Sequence, residues 1–523
     1  MARILVTEEL APTGIELMEQ AGHEVVQSFG LTPQELVEAV KGANALIVRS
    51  ATKVTAEVLG AGSDLVVVGR AGIGVDNIDL GEATRRGVLV VNAPESNVLS
   101  AAEHAMALLL AQARNVPQAH AALVQGRWER SRWNGIELYG KTLGVIGLGR
   151  VGTLVAIRAM SFGMRIVAYD PYVSADRARQ LGVEMTDLPD LLGQADFVTI
   201  HLPKSAETMG LLGADMLARA KPGLRIVNTA RGGIVDEDAL AKAVAEGRLG
   251  GAGLDVFASE PTTSSPLFEL DSIVVTPHLG ASTAEAQDKA GVTIAEQVVS
   301  ALDGQLVPFA VNLSFKEVPE AVRPFLDLAE QLGRLLVSLE GALPSGLEVE
   351  CSGSLASSDT KVLTLAVLRG LLAVGTEEPV SYVNAPRVAA DRGLEVRESL
   401  TASAKDYVNL LTLRSGSHSV SGTLAGSRGE PRVVMVDDHR VEVPPARNML
   451  VVRNDDRPGM IGIVGTVLGE QGISISSMGV GPSAEGGTAL MVLSTDQPVG
   501  AAVCDRLSQQ EGILDARAVT ASP

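Results

Sequence analysis

Gly144-Val-Ile-Gly-Leu-Gly-Arg-Val-Gly152 is a G-x-G-x-x-G turn set directly after a short apolar run. About eighteen residues further on, Arg165-Ile-Val-Ala-Tyr-Asp170 closes a second apolar run on a carboxylate. Each part of this pattern has a physical task at a dinucleotide site. Gly147 permits the tight turn, Gly149 lets backbone N–H groups approach a pyrophosphate, and Gly152 lets the following helix pack on the strand. The helix N-terminus then faces the phosphates. A carboxylate at Asp170 can accept both adenine-ribose hydroxyls and would repel a 2′-phosphate, which predicts NAD rather than NADP.

Outward from this turn, strands are predicted at 142–146, 165–169, 196–200, 224–228, 250–255 and 273–276, the second of two α/β units (95–282). Residues 1–94 carry the same rhythm in Arg3-Ile-Leu-Val, Ala45-Leu-Ile-Val, Leu65-Val-Val-Val and Val88-Leu-Val-Val, which predicts a parallel sheet. Asn92-Ala-Pro-Glu-Ser-Asn97 reads as a hinge. Ser100-Ala-Ala-Glu103 reads as a capping box opening an apolar helix through about Gln112. The apolar helix after 283 needs a partner and is expected to return to the first unit, giving a domain of 1–94 plus 283–312. A third region, 313–446, mixes strand-like alternation with turns and carries no legible catalytic constellation. Pro444-Pro445 reads as a linker. Residues 448–523 read β-α-β-β-α-β, a ferredoxin-like module. The fold class is therefore α/β: two Rossmann-like doubly wound domains, then an α+β domain and a ferredoxin-like one.

A chain of 523 residues is too long for one core. Its net charge of −19 argues against nucleic acid or an anionic membrane as the main partner, and requires that an anionic substrate meet a local cluster of cations. No run of about 20 apolar residues is present. Cys351 and Cys504 lie far apart without metal-ligand spacing and read as reduced thiols. The N-terminus begins a strand at once rather than a signal peptide, so a cytoplasmic protein is expected.

In open parallel sheets ligands bind at the carboxyl ends of strands. Arg231 follows Leu224-Arg-Ile-Val-Asn-Thr-Ala, Glu260 lies beyond Gly253-Leu-Asp-Val-Phe, and His278 follows Ile273-Val-Val-Thr-Pro. Hydride transfer from a 2-hydroxy acid to a nicotinamide needs a base, a cation for the carboxylate and an anion to orient the base. His278 titrates near neutrality and suits the first role, Arg231 the second and Glu260 the third. His23, His104, His120, His201, His418 and His439 read as structural histidines.

Asn228-Thr-Ala-Arg-Gly-Gly-Ile-Val-Asp-Glu, Leu254-Asp-Val-Phe-Ala-Ser-Glu-Pro and Thr276-Pro-His-Leu-Gly-Ala-Ser-Thr resemble the signature blocks of the D-2-hydroxyacid dehydrogenases. The resemblance is greatest to the long phosphoglycerate-oxidising form, which carries an intervening domain and a C-terminal ACT domain. It implies that Arg231, Glu260 and His278 are catalytic. It also implies that Arg150, Val151, Asp170, Thr229, Asp255, Gly280 and Ala281 contact NAD. Arg49-Ser-Ala-Thr-Lys-Val-Thr and Gly69-Arg-Ala-Gly-Ile-Gly-Val-Asp-Asn-Ile-Asp resemble the phosphoglycerate enzymes. Arg49 and Arg70 are then phosphate contacts of 3-phosphoglycerate, Asn97 a substrate contact near the hinge, and Arg130 a residue reaching a neighbouring subunit's site. In relatives inhibited by L-serine the effector positions match Asn454, Asp456 and Ser474, but Asn454 replaces His or Tyr and Ser474 replaces Asn. A homotetramer is expected from the apolar helix after Ser100 and the ACT edge. Three other readings stay open: a reductase of glyoxylate, hydroxypyruvate or 2-oxoglutarate, a non-catalytic NAD sensor, and a separate binding protein fused at the C-terminal end.

Overall fold

Short aliphatic runs separated by amphipathic helices resolve, in a computed structural model, into two parallel sheets followed by two mixed or antiparallel ones. The structure describes all residues except 314, 316–317, 374–379, 405, 417, 427, 484–485 and 521–523, and the side chain of residue 520. The first sheet contains β1 (Arg3–Val6), β2 (Glu24–Gln27), β3 (Ala45–Val48), β4 (Val67–Arg70) and β5 (Leu89–Asn92). Its order is β2-β1-β3-β4-β5, parallel throughout. The helix Ala284–Leu302 lies on this sheet and buries Ala290, Ile294 and Val298 against Ile4, Val6, Ile47 and Val67. It also approaches the helix Pro12–Gln20 so closely that a Cβ on Gly14 would stand 2.7 Å from the Gly291 carbonyl oxygen.

The second sheet contains β6 (Thr142–Ile146), β7 (Arg165–Tyr169), β8 (Glu184–Met185), β9 (Phe197–Ile200), β10 (Arg225–Asn228), β11 (Gly251–Leu254) and β12 (Ile273–Val275). Its order is β12-β11-β10-β9-β6-β7-β8. Strand order reverses between β6 and β9, which opens a crevice at their carboxyl ends. The helix Val98–Arg114 crosses from the first sheet and buries Ala102, Ala105 and Leu109 beside Val145 and Val227. The expected capping box at Ser100 does not form. The helix starts at Val98 after Asn97, without a side-chain cap. Ser100 Oγ instead lies 2.8 Å from Thr283 Oγ1, so a tertiary partner claims the hydroxyl that local sequence offered to the backbone.

The third sheet contains β13 (Gly346–Gly353), β14 (Glu395–Thr401), β15 (Asn409–Ser415), β16 (His418–Ala425), β17 (Glu430–Val436) and β18 (His439–Val443). The fourth contains β19 (Asn448–Asp455), β20 (Ile475–Pro482), β21 (Thr488–Thr495) and β22 (Ile513–Thr520), in the antiparallel order β20-β21-β19-β22. On one face Leu450, Val452, Met491 and Leu493 meet the helices Met460–Glu470 and Ala501–Ser508. On the other, Met449, Val451, Val492 and Val519 join the core of the third sheet and its helix Leu326–Glu340. A Cβ on Gly481 would collide with the Arg440 carbonyl. The Pro444-Pro445 linker is a short packed connection, its Pro444 carbonyl accepting from Ser494 Oγ at 3.2 Å.

Ile294 is fully buried where the Ala284–Leu302 helix meets the first sheet. Ile294→Ala is expected to destabilise that unit by about 2–5 kcal/mol through lost burial and a residual cavity, seen as a lower urea midpoint.

Candidate active site

The glycine turn sits at the end of β6, at the reversal point of the second sheet. Gly147 has φ 94° and its N–H donates to the Tyr169 carbonyl at 2.9 Å; a Cβ there would stand 2.7 Å from the His201 carbonyl oxygen. At Gly152 a Cβ would collide with the Gly147 carbonyl, so the helix Arg150–Ser161 can start only where glycine permits it. Gly149 differs: a Cβ would meet nothing within 4 Å, and its backbone faces open space. The Asp170 carboxylate is pinned at the end of β7 by N–H groups of Leu148 at 2.8 Å and Tyr172 at 2.9 Å. Thr229 Oγ1, just beyond β10, is buried and has no hydrogen-bond partner among the described residues. An open backbone cradle, a fixed carboxylate and an orphaned hydroxyl around one crevice fit a dinucleotide. Arg150 opens the helix, exposed and paired with Glu95 at 2.8 Å, and Val151 is half-buried beside it.

Asp255, fully buried at the end of β11, gathers the next residues. It accepts from Thr276 Oγ1 at 2.6 Å, Leu279 N at 2.7 Å and Gly280 N at 2.8 Å, and lies 3.1 Å from His104 Nε2. Burial opposes its charge, yet these partners outweigh burial and hold the carboxyl below its usual range. The turn it organises carries His278, which has φ 57°, an uncommon value for a non-glycine residue. The His278 N–H donates to the Asp255 carbonyl at 2.9 Å. His278 Nδ1 lies 2.6 Å from Glu260 Oε2, while Glu260 Oε1 accepts the Phe257 N–H at 2.9 Å. The hydrogen bond that the His278 ring donates to the Glu260 carboxylate raises the His278 pKa despite partial burial. Burial pushes the Glu260 carboxyl up, but its bonds to His278 and Phe257 leave it below its ordinary value. A base thus stands with Nε2 free of the carboxylate that orients the ring.

Arg231 Nη1 donates to the Ala230 carbonyl at 2.7 Å, and its Nε donates to Asp76 at 3.2 Å, across from the first sheet. Arg70 ends β4 with its Nε buried and unpartnered. Burial, then the neighbouring Arg231 charge, lowers its pKa to about 10. Cβ atoms on Gly72 and Gly74 would collide with the Arg70 and Arg231 guanidinium groups, so this bare backbone is the shelf on which both rest. A cleft of about 300 Å³ is lined by Arg49, Ser50, Arg70, Asn97, His278 and Ala281, among others. The structure therefore brings Arg49, Arg70, Asn97 and His278 together, with Arg231 at their side. Arg130 is exposed and does not line this cleft.

Family models match in sequence order. Residues 106–280 match the D-isomer specific 2-hydroxyacid dehydrogenase NAD binding domain, 321–437 the D-3-phosphoglycerate dehydrogenase intervening domain, and 448–512 the ACT domain. The D-3-phosphoglycerate dehydrogenase of Mycobacterium tuberculosis is 48% identical over 501 residues, 95% of each chain. The chain belongs to the D-3-phosphoglycerate dehydrogenase family. The Synechocystis member of that family is 43% identical over 526 residues, covering 99% of this chain and 95% of its own. Among solved structures, a Thermus thermophilus protein aligns with TM-score 0.55 at 36% identity, over 59% of this chain and 99% of its own. Escherichia coli D-lactate dehydrogenase aligns at 0.53 and 28%, over 59% and 99%. An NAD-dependent oxidoreductase with Rossmann-type sheets and an ACT domain follows from this membership.

In the ACT module, Asn454 is buried and its Nδ2 donates to the Asp455 carbonyl at 2.6 Å, leaving Oδ1 without a partner. Asp456 and Ser474 are exposed, and Ser474 N–H is held by Asp496 at 2.8 Å. Sequence reasoning missed one site neighbour: Asp76 follows a glycine-rich loop and carried no charge-pairing signal. His104, read as structural, reaches Asp255 from the crossing helix, 151 residues away.

Glu260→Gln removes the anion that raises the His278 pKa. With His278 as the proton acceptor proposed below, oxidation needs the neutral ring, so its rate rises with pH through that pKa; reduction needs imidazolium and falls. The variant is expected to shift both limbs to lower pH in kcat/KM profiles. An unshifted profile would deny the pairing a role.

Proposed function

We propose that the chain catalyses NAD-dependent oxidation of 3-phospho-D-glycerate to 3-phosphooxypyruvate, the first step of phosphorylated L-serine biosynthesis, in the cytoplasm. The observation that carries this reading is the convergence of Arg49 and Arg70 on the cleft that also holds His278, because a phosphorylated hydroxy acid needs cations at both ends. Bound NAD supplies the hydride acceptor for C2. Gly147, Gly149, Arg150, Val151, Gly152, Asp170, Thr229, Asp255, Gly280 and Ala281 are its contacts. Arg231 grips the substrate carboxylate and polarises the 2-oxygen, exchanging Asp76 for the substrate. His278 takes the hydroxyl proton, and Glu260 stabilises the resulting imidazolium. Asn97 orders the substrate at the hinge, between a 1–94 plus 283–312 domain and a 95–282 domain that close on each other. Residues 313–446 and 448–523 form the intervening and ACT domains. Arg130 completes the site of a neighbouring subunit in a homotetramer, and L-serine binds at the ACT module near Asn454, Asp456 and Ser474.

The test follows NADH absorbance with NAD and 3-phosphoglycerate, with the keto product trapped. Turnover is expected, and His278→Asn should lower kcat by about 10²–10⁴-fold while NADH binding persists. Activity confined to glyoxylate or 2-oxoglutarate would overturn the phosphate assignment. Asp170→Ala should raise the NADP-to-NAD ratio of kcat/KM by about 10-fold, since it removes the carboxylate that repels a 2′-phosphate.

A further inference from the structure

The first sheet reverses its strand order between β1 and β3, so the carboxyl ends of these strands form a second ligand crevice, facing that of the NAD-binding sheet. Glu8 lies just past β1, and Arg49 directly follows β3. The Glu8 carboxylate accepts three backbone N–H groups of one loop: Arg49 at 2.8 Å, Thr52 at 2.9 Å and Ala51 at 3.2 Å. From the other side Asn77 Nδ2 donates to carbonyls of the same loop, Thr52 at 2.7 Å and Arg49 at 2.8 Å. One carboxylate thus takes the loop's donors and one amide takes its acceptors. The Arg49 side chain is held as well, its Nη1 donating to the Glu9 carbonyl at 3.2 Å.

A carboxylate beside an anion site is adverse in Coulomb terms unless its charge is committed elsewhere. Here it is committed. Partial burial opposes the charge on Glu8, but the N–H bonds outweigh it and keep the carboxyl ionised below the usual range. The loop so fixed presents Arg49 and Ser50 to the cleft, opposite Arg70. Asp76, adjacent to Asn77, holds Arg231, so one dipeptide touches both the loop and the arginine of the carboxylate end.

We propose that Glu8 and Asn77 are positioning residues which lock the Arg49–Thr52 loop into an anion cradle for the phosphate end of the substrate. This rests on the phosphoglycerate reading. A purely structural role would weaken every substrate alike, whereas a cradle discriminates by phosphate.

The measurement is kcat/KM for NADH-dependent reduction of 3-phosphooxypyruvate and of hydroxypyruvate, its unphosphorylated counterpart. It is made on the full-length enzyme and on Glu8→Gln, Asn77→Ala, Arg49→Ala and the Glu8→Gln/Arg49→Ala double variant. The phospho-to-hydroxy ratio is expected to fall ~10-fold or more in each single variant, through KM for the phosphorylated substrate. The double variant should lose no more than Arg49→Ala alone, because both act on one contact. A ratio within ~2-fold of wild type in folded variants, or additive losses in the double variant, would overturn the proposal. Asn77→Ala reaches the loop through its carbonyls, so the test survives a failure of Glu8→Gln to fold. If the wild-type enzyme itself shows no preference for the phosphorylated substrate, the phosphoglycerate reading fails first, and the cradle with it.

Discussion

A carboxylate can be fully buried only if donors replace its water, and at Asp255 that requirement ties the active site together. Its donors come from the turn bearing His278 and from Thr276, with His104 of the crossing helix also at hydrogen-bond distance. Removing the charge would release the turn that places the base and would loosen the helix joining the two sheets. His278 tolerates its left-handed backbone because these bonds over-determine it. Ser100 and Thr283 add a second tie between the two segments that cross from one sheet to the other.

The overall charge of −19 poses the opposite problem, since the substrate is an anion. The solution is local. Arg49, Arg70 and Arg231 stand at the carboxyl ends of strands from both sheets, and burial, then the neighbouring Arg231 charge, lowers the Arg70 pKa. Bare backbone at Gly72 and Gly74 gives two of these guanidinium groups room. Asp76 and Glu8 temper the cluster without filling it. A cluster of this kind focuses positive potential in a cleft of an otherwise acidic chain.

The C-terminal half obeys a packing constraint of its own. One face of the fourth sheet is covered by its helices and the other merges with the core of the third. Gly481 permits this close approach, so the two sheets share one packed core rather than being joined by a tether alone. The third sheet's region in turn touches the first unit: Ser381 Oγ donates to the Gly87 carbonyl at 2.9 Å, and Arg387 to the Arg85 carbonyl at 2.8 Å. These contacts lie just before β5, whose far end leads into the segment before Asn97.

Local pattern carried much of this protein. Gly147 and Gly152 are glycines because a side chain there meets backbone, and runs such as Leu224-Arg-Ile-Val-Asn announce a strand wherever they occur. Position at successive strand ends singled out Arg231, Glu260 and His278, and the likeness of three sequence blocks to a known family pointed to the same residues. Local pattern misled where a polar group had a choice of partner: Ser100 looked like a cap but pairs with Thr283. The turn, the strands and the identity of the chemical groups are legible along the chain, because they depend on residues near one another in it. Which carboxylate or amide holds which loop, as with Glu8, Asn77, Asp76 and Asp255, emerges only from the folded arrangement. Their partners lie tens to more than a hundred residues away, and hydrogen bonds over such separations leave no periodicity to read.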